Sequence, residues 1–519
     1  MRIAALDLGS NSFHLLVVQA HPDGSFETLV REKEMLRLGD VVSREGRITD
    51  LAAEQVIDSI RRLRSLAEAA GAEEIVACAT SAMREADNSS AIVDRIEART
   101  GVRVDVISGK EEARLIFAAV RSSVVMDPGP ALCLDLGGGS LELMVGDRAG
   151  MLWSASVKLG VARLTAELVR HDPLEAEDVR RLRRRITAVL APLASEVAEF
   201  QPQMLVGTSG TLCDLARMAA ARTGPVPESV NQLTVRKKEL SIVHERLLAI
   251  PAAARTRLPG LEAKRADIVP AGSVLLMTAM ELFGMDRLTV GDWALREGIV
   301  LDAIGHHDPV DWTGEPGAIR RSSVLNLARR YSSDDEHPEH VARLALELFD
   351  QTAALHQLGA DDRELLEFAC LLHDIGEHVS VDAHHKHTAY LIQHGRLRGF
   401  SPEEVAMLAS LGRFHRRGDP KPSFEPFALL DAEDRERVTK LVSLLRLADG
   451  LDRGHAGNID EVDLDIDDEV ARVTVRTRGD AELELWGLRR KRDLFERSMG
   501  RRLEVVAPDL EVAVADRMP

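Results

Sequence analysis

Residues 132–146 read LCLDLGGGSLELMVG, and residues 3–17 read IAALDLGSNSFHLLV. Each stretch passes from an apolar run through Asp-Leu-Gly into a turn of small residues, and then into a second apolar run. Asp7 and Asp135 occupy the same place in the two copies. Apolar runs around a Gly/Ser-rich turn predict a hairpin in each copy. Their recurrence at domain scale predicts a duplicated α/β fold.

The size and charge of the chain narrow the classes of protein to consider. Its 519 residues exceed what one hydrophobic core organises, so we expect roughly two to four domains. The formal net charge of −18 opposes binding to nucleic acid or to an anionic membrane, and an aromatic content of 3% argues against base-stacking platforms. The scattered cysteines, the start on a strand without a leader and the lack of a long uncharged run together predict a cytosolic protein.

Secondary-structure patterns divide the chain into four predicted domains. Strand and helix patterns alternate over 1–125 and again over 126–306, which predicts two α/β domains. A turn-rich linker, His307–Pro316, follows the second of them. The pattern is almost wholly helical over 317–455. Over 456–519, alternating apolar and charged residues predict strands in a small α+β domain.

The two glycine-rich turns are candidate phosphate loops. A turn of small residues leaves backbone N–H groups directed into one concavity, which suits a phosphate. One such turn is often only a tight hairpin, but two copies with the same aspartate favour binding. We expect the loops to face each other across a cleft and to hold one phosphoryl group from both sides. The candidate phosphate-binding residues are Gly9, Ser10, Asn11 and Ser12 in one loop and Gly137, Gly138, Gly139 and Ser140 in the other.

The motifs taken together resemble a known family. DLGSNSFHLLV, ISGKEEARLIF and DLGGGSLELMVG, with GTSGT at 207–211 and REGIV at 296–300, are similar to the exopolyphosphatase/guanosine pentaphosphate phosphatase family. That family belongs to the actin/sugar-kinase superfamily. The resemblance therefore implies two ribonuclease-H-like domains, each with its own phosphate loop. It extends over nearly the whole chain and implies a homodimer.

Hydrolysis of a terminal phosphoanhydride needs a cation on the phosphoryl oxygens and a base that orients water. Asp135 and Glu142 flank the second loop and offer the hard oxygen ligands that Mg²⁺ prefers. Asp7 is a similar candidate in the first half. Neither loop contains a Walker lysine, so the sequence does not predict a P-loop enzyme.

The candidate base lies in SGKEEARLIF. Ser108 and Glu111 fit a capping box, which leaves Glu112 unassigned in the first helical turn, where the helix dipole favours an ionised carboxylate. The family resemblance implies that Glu112 is the catalytic base. The alternative is a solvated glutamate at a helix end. The resemblance also implies that Arg84 lies near the phosphate site, where a guanidinium suits bidentate contact.

The helical region carries a second candidate metal site. His340, the His373–Asp374 pair in LLHDIG and Asp449 in RLADGLD can converge on one divalent metal such as Mn, Fe, Ni, Co or Mg. These residues resemble the HD-type metal phosphohydrolase superfamily. The alternative is a vestigial fold that binds no metal. Further candidate ligands from the same resemblance are His385, His387 and His415.

We therefore expect an exopolyphosphatase that processively releases orthophosphate from the ends of polyphosphate, with Mg²⁺ and a glutamate base. The same site would accept guanosine pentaphosphate and convert it to the tetraphosphate. A second alternative is a non-catalytic sensor of phosphorylated nucleotides with the HD-type region as its output. Between Arg489 and Arg502 lie seven basic residues, which form either a solvated face or a contact surface for long polyphosphate.

Overall fold

The computed structural model describes residues 1–21, 24–307, 316–331 and 336–506. The chain divides into two compact units, Met1–Ile319 and a second unit that begins at Arg320. Most of the predicted linker His307–Pro316 and the end of the predicted domain 456–519 lie outside the described residues. The predicted division into four domains stays a prediction.

The first unit contains two mixed sheets. The first sheet has the order β3-β2-β1-β4-β5, and its strands are β1 (Arg2–Leu8), β2 (Ser12–Ala20), β3 (Phe26–Met35), β4 (Glu74–Ala79) and β5 (Val104–Val106). The second has the order β10-β11-β9-β6-β7-β8, and its strands are β6 (Ala131–Leu136), β7 (Leu141–Gly146), β8 (Met151–Val157), β9 (Met204–Thr208), β10 (Thr234–Arg236) and β11 (Arg287–Val290).

The two sheets share one topology. In each, three consecutive strands form an antiparallel meander, and the first strand of the meander pairs on its other side with a parallel strand. The predicted duplication and both predicted hairpins are confirmed, and the mixed α/β arrangement is consistent with a ribonuclease-H-like fold. The loop of residues 9–12 joins β1 to β2 and is called the first loop, and the loop of residues 137–140 joins β6 to β7 and is called the second loop.

Helices cover the sheets of the first unit. They are α1 (Leu38–Glu45), α2 (Asp50–Ala69), α3 (Ser81–Glu85), α4 (Ser89–Thr100), α5 (Gly109–Arg121), α6 (Val161–Leu168), α7 (Ala176–Ala198), α8 (Ser209–Ala220), α9 (Lys237–Ala249), α10 (Ala252–Arg255), α11 (Val269–Leu282) and α12 (Leu295–His307), with a 3₁₀ turn at Ala263–Arg265. The longest helix of the first α/β domain is α2. Its N-cap Thr49 accepts the N–H of Ala52 at 3.3 Å, and Val56, Ile60 and Leu63 are buried at helical spacing.

The second unit combines helices with a three-stranded sheet. Its helical segments are α13 (Pro316–Tyr331), α14 (Glu336–Gln351), α15 (Ala353–His356), α16 (Ala360–Leu372), a 3₁₀ turn at Ile375–His378, α17 (His384–His394), α18 (Pro402–Phe414), α19 (Glu425–Leu429), α20 (Ala432–Leu451), α21 (Glu482–Lys491) and α22 (Asp493–Met499). The strands β12 (Ile459–Ile466), β13 (Val470–Thr477) and β14 (Arg502–Val506) form the sheet in that order.

The helices and the small sheet of the second unit share one core. Val462 and Val473 from the sheet and Leu488 from α21 belong to the same buried cluster as Leu366 of α16 and Leu444 of α20. The predicted helical region and the strands that follow it are therefore packed together.

Candidate active site

The hairpin registers bring a second polar side chain beside the aspartate of each loop. Asp7 lies opposite His14 in the β1–β2 pair, and Asp135 lies opposite Glu142 in the β6–β7 pair. Asp135 and Glu142, which the sequence analysis proposed as metal ligands, are therefore direct cross-strand neighbours. All of Glu142 and nearly all of Asp135 are buried.

The two loops contact each other in the first unit. A Cβ atom added to Gly138 would lie 3.1 Å from Cβ of Asn11, and one added to Gly139 would lie 2.8 Å from Oγ of Ser10. A side chain at Gly139 would overlap the first half, and one at Gly138 would be in unusually tight contact with Asn11. The structure thus brings together the two loops that the sequence analysis expected to face each other.

The second loop is held so that its N–H groups stay available. Its three glycine carbonyls accept hydrogen bonds at the start of α6: Gly160 N–H donates to Gly139 at 3.2 Å, Val161 to Gly137 at 3.0 Å and Ala162 to Gly138 at 3.0 Å. Within the described residues, the N–H groups of Gly138, Gly139 and Ser140 donate to no backbone carbonyl. Converging free N–H groups form an anion-binding nest.

Glu112 lies in the first turn of α5 and is buried. Both terminal nitrogens of Arg84 donate to its Oε2 at 3.2 Å, and Arg84 also donates to the carbonyl of Ile107 at 2.6 Å. Arg84, which was expected near a phosphate, therefore also holds the candidate base in one orientation.

The pKa of Glu112 is higher than the sequence analysis expected. Burial raises the pKa of Glu112 to about 7, Arg84 opposes this rise and the charge of Asp135 adds to it. The helix N-terminus was expected to keep this carboxylate ionised, but burial outweighs it. The expected capping box is only half formed: Ser108 accepts the N–H of Glu111 at 3.1 Å, whereas the Glu111 carboxylate binds Arg114.

Buried carboxylates concentrate negative charge around Glu112. Burial raises the pKa of Asp135 and, well above its ordinary value, that of Glu142, where Glu112 and Asp135 add to the rise. Burial likewise raises the pKa of Asp7 to about 7. Ser156 donates to Oε1 of Glu142 at 2.8 Å, while Oε2 of Glu142 is buried and has no hydrogen-bond partner among the described residues. Mutually repelling oxygen ligands, one of them unsatisfied, fit a hard divalent cation.

A cavity of about 610 Å³ opens beside this cluster. Arg84, Lys110 and Lys158 line it, together with Ser81 and Ser140. Glu85 also lines it and pairs with Lys158 at 3.0 Å. Three basic side chains against this one carboxylate leave the opening with a positive balance, which favours an anion in a chain of net charge −18.

Two polar side chains that the sequence analysis did not select fix the first loop. Arg296 donates to Nδ1 of His14 at 3.0 Å, and Nε2 of His14 lies 2.8 Å from Oγ of Ser12. Burial lowers the pKa of His14 well below its ordinary value, so the ring is neutral. Because Nδ1 accepts from a guanidinium, we infer that Nε2–H donates to Ser12 and leaves the serine proton free for a ligand. The REGIV motif, which contains Arg296, is the sequence feature that could have identified this interaction.

The GTSGT motif supplies a third element of the cleft. Thr208 donates through its hydroxyl to Oδ1 of Asp135, and the following Ser209 has a φ of 84°. A non-glycine residue in this region of φ/ψ space is strained. This strained turn connects β9 to α8 and lies next to the carboxylate cluster.

A cluster of histidines surrounds Asp374 in the second unit. In the described residues, two groups of potential metal ligands have atoms within 4.8 Å of one another: His337 with His373 and Asp374, and Asp374 with His384 and His415. Nε2 of His384 and Nε2 of His415 lie 3.2 and 3.3 Å from Oδ1 of Asp374. Asp374 is therefore the common member of both groups.

Hydrogen bonds to backbone carbonyls determine the tautomers of two histidines in the cluster. Nδ1 of His373 lies 2.6 Å from the carbonyl of Cys370, and Nδ1 of His415 lies 2.8 Å from that of Gly412. A carbonyl only accepts, so each Nδ1 carries the proton and each Nε2 presents a lone pair. In the described structure, Nε2 of His373 and Oδ1 of Asp374 are buried without hydrogen-bond partners.

The structure brings together only part of the predicted ligand set of this cluster. His373 and Asp374 lie together, and the α14 histidine beside them is His337, whereas His340 belongs to neither group in the described residues. Both lie on α14, and the phase of the helix turns His337 into the core, where its Nδ1 lies 2.8 Å from Asp452. The sequence spacing alone could not determine this phase.

Three further candidates also differ from the expectation. His385 and His387 are outside both groups, whereas His384, which was not selected, is in one. Asp449 is also outside, and its carboxylate accepts from the ammonium group of Lys491. Although burial opposes the change, Lys491 lowers the pKa of Asp449 to about 2.

Two abutting glycine-rich loops on a duplicated α/β unit, with a buried glutamate beside them, define a phosphohydrolase of actin-like architecture. The chain belongs to the Ppx/GppA phosphatase family, whose sequence model matches residues 17–307, and residues 319–490 match domain III of Ppx/GppA phosphatases.

Relatives of known name agree with this membership. The chain is 35% identical over 303 residues to exopolyphosphatase 1 of Mycobacterium leprae, a match that covers 58% of this chain and 89% of the relative. Among solved structures, it is similar to an exopolyphosphatase from Cytophaga hutchinsonii, with a TM-score of 0.56, 30% identity and coverage of 61% of this chain and 100% of that one. The Ppx/GppA family member of Aquifex aeolicus gives a TM-score of 0.52 at 27% identity, with 59% of this chain and 98% of that one covered.

Within the described residues, no helix combines the length and the apolar character needed to cross a membrane.

Proposed function

We propose that this protein hydrolyses the terminal phosphoanhydride bond of inorganic polyphosphate and releases orthophosphate. The contact between the two loops is the observation that best supports this function, because it creates one concavity with donors on both sides. Free N–H groups of the second loop and the polar side chains of Ser10, Asn11 and Ser12 would hold the terminal phosphoryl group. The likeness to relatives named exopolyphosphatase agrees with this substrate class.

Glu112 is the proposed general base. A pKa of about 7 leaves a large fraction of the carboxylate ionised at neutral pH, which is the range in which a base works best. Glu112 would accept a proton from water while the water oxygen attacks the terminal phosphorus. The bond to the bridging oxygen then breaks, and the shortened chain leaves with the bonding electrons. Arg84 would orient the base and contact the phosphoryl oxygens.

Asp135 and Glu142 are the proposed ligands of Mg²⁺ in the cleft. This proposal is supported by their raised pKa values and by Oε2 of Glu142, which is buried without a hydrogen-bond partner among the described residues. When bound, the ion would neutralise charge on the transferred phosphoryl group. The described residues offer no third protein ligand at close spacing here, which suits an ion that keeps water and phosphate in its shell.

The cavity over the cleft favours polyphosphate over guanosine pentaphosphate. In the part of the chain that the structure describes, Arg84, Lys110 and Lys158 line this cavity, and no aromatic side chain does. Successive phosphates need basic contacts, whereas recognition of a guanine ring is usually helped by stacking on an aromatic face. Guanosine pentaphosphate stays the second candidate substrate because its terminal bond has the same chemistry.

The histidine cluster is a proposed second metal site of HD type. His337, His373, Asp374, His384 and His415 would hold one or more divalent cations through nitrogen and carboxylate oxygen. This site lies in the second unit, so we propose that polyphosphate hydrolysis in the first unit does not depend on it. Processive action and assembly as a homodimer are further proposals from the family resemblance.

The decisive experiment compares initial rates of phosphate release from long polyphosphate and from guanosine pentaphosphate with Mg²⁺. We expect a higher kcat/KM on polyphosphate. The Glu112→Gln variant should lose roughly 10²- to 10⁴-fold in kcat while keeping tripolyphosphate binding, because the loops remain intact. A wild-type protein that binds both compounds but hydrolyses neither would support the sensor alternative.

A further inference from the structure

A second basic cavity, of about 490 Å³, lies entirely within the second unit. Residues that follow α18, the end of α20 and helices α21 and α22 form its walls. The basic side chains that line it include Arg416, Arg417, Arg446, Arg453, Arg490 and Arg497. Its volume is in the range of pockets that bind small ligands.

Acidic side chains of the described chain do not balance this charge. Asp419 and Asp493 are the acidic residues among those that line the cavity, and Asp419 is engaged by Arg497 at 2.7 Å. Within the described residues, Arg416, Arg417 and Arg453 form no ion pair with a carboxylate. Several like charges that face one space repel each other, so an anion placed between them would be stabilised.

Other cationic groups of the cavity are fixed by the fold. Arg446 is buried and donates through Nε to the carbonyl of Phe414 at 2.8 Å and through Nη2 to that of Gly418. Burial lowers the pKa of Arg446 to about 10, which still leaves it charged. Lys491 lines the cavity and is held by Asp449. The wall is therefore preorganised, which reduces the entropic cost of binding.

One wall carries an aromatic ring. Trp486 is 48% exposed, and the guanidinium of Arg490 lies 5.0 Å from the centre of its ring. Aromatic residues are scarce in this chain, at 3% of its residues. An exposed tryptophan beside a cluster of arginines offers a stacking surface for a base next to donors for phosphate.

We propose that this cavity binds a nucleoside polyphosphate, with its phosphates on Arg416, Arg417 and Arg453 and its base on Trp486. One guanidinium group can bind two phosphate oxygens, and a chain of phosphates can contact several guanidinium groups at once. Among the described residues, none of the first unit lines this cavity, so the proposal does not rest on the proposed polyphosphatase activity. Three residues of the basic tract noted in the sequence, Arg490, Lys491 and Arg497, belong to it.

The test measures equilibrium binding of GTP and of tripolyphosphate to the full-length Glu112→Gln protein, in which hydrolysis is suppressed. The pocket variant R416Q/R417Q should weaken GTP binding on the order of 10- to 100-fold at one site, because it removes two charge-assisted contacts. The matched control is R476Q/R478Q, which also removes two positive charges from the second unit. These residues do not line the cavity, and Arg476 instead pairs with Glu461 at 2.8 Å. The control should change binding by less than about twofold.

A further variant tests the role of the aromatic ring. Trp486→Ala should weaken GTP binding about tenfold, because it removes the stacking surface for the base, and should leave tripolyphosphate binding unchanged. Unchanged GTP affinity in Trp486→Ala would refute the nucleobase assignment. Equal losses in the pocket and control pairs, or no loss in the pocket pair, would refute the phosphate site.

Activity measurements separate this cavity from the cleft. With Glu112 intact, R416Q/R417Q should release phosphate from tripolyphosphate at the wild-type rate, with unchanged circular dichroism and thermal midpoint. A parallel loss of GTP binding and of this activity in a folded protein would show that the cavity serves the phosphatase reaction, and would refute a separate site.

Discussion

Replacing Arg84 with glutamine would test the electrostatics that set the pKa of the proposed base. Both terminal nitrogens of Arg84 lie 3.2 Å from Oε2 of Glu112, and the Arg84 side chain is 27% exposed. At that distance, two unit charges interact by about 5 kcal/mol at an effective dielectric constant of about 20. Partial solvent exposure reduces this value, and an opposite charge at contact usually moves a carboxyl pKa by about 1 to 3 pH units.

The sign of the change follows from the role of the base. Arg84 lowers the pKa of Glu112, so its removal raises that pKa above about 7. Glu112 must be ionised to accept a proton, so activity would appear only at higher pH. At about pH 7 the ionised fraction would fall roughly 5- to 500-fold for rises of 1 to 3 pH units, and this loss would be recovered in alkaline solution.

The assay is the pH dependence of kcat/KM for phosphate release, because that ratio reports the groups of the free enzyme. The matched control is Arg114→Gln on the same helix, where Arg114 binds Glu111 and Asp302 instead of the base. We expect the control to keep the acid limb of the wild-type profile. An Arg84→Gln profile whose acid limb coincides with the wild type, at any overall rate, would refute the reasoning.

Three other predictions concern the loops and the two proposed metal sites. Gly160→Ala should abolish most activity, because its methyl group would lie 2.3 Å from the backbone of the second loop, whereas Gly150→Ala, with open space around it, should be neutral in activity and thermal midpoint. Glu142→Gln should raise the Mg²⁺ concentration for half-maximal activity at least about tenfold, and an unchanged Mg²⁺ titration would contradict its role as a ligand. His373→Ala should lose a bound divalent metal by elemental analysis yet keep most polyphosphate hydrolysis, while His340→Ala should keep the metal. Equal metal content in both histidine variants would disprove the assignment.

The sequence was most informative where chemistry depends on the backbone. Near Asp7 and Asp135, a short run of small residues separates two apolar runs, a pattern that is typical of tight hairpins. Both loops and the duplicated topology were therefore predictable. The half-exposed strand β3 was not predicted, because its FETLVREKEM sequence lacks a clear apolar alternation. It is a strand because β2 pairs with it along most of its length.

Side-chain roles that depend on remote neighbours were less predictable. The pKa of Glu112 is raised by burial and by Asp135, which approaches only in the folded chain. The choice between His337 and His340 depends on the rotation of α14 against Asp452, which is more than 100 residues away in sequence. Local patterns contain the ligand types but not the packing that selects among them.

The contact between the two loops has a consequence for how this sequence can change over time. The first loop contributes side chains, and the second contributes bare backbone in the space that those side chains leave. A Cβ atom at Gly139 would lie 2.5 Å from Oγ of Ser81 and 2.8 Å from Oγ of Ser10, and one at Gly138 would press on Cβ of Asn11 at 3.1 Å. A larger residue at either glycine therefore requires a side chain of the first half to shift or to become smaller. The glycines of the second half thus limit the size of three side chains of the first half, and each half constrains the mutations open to the other.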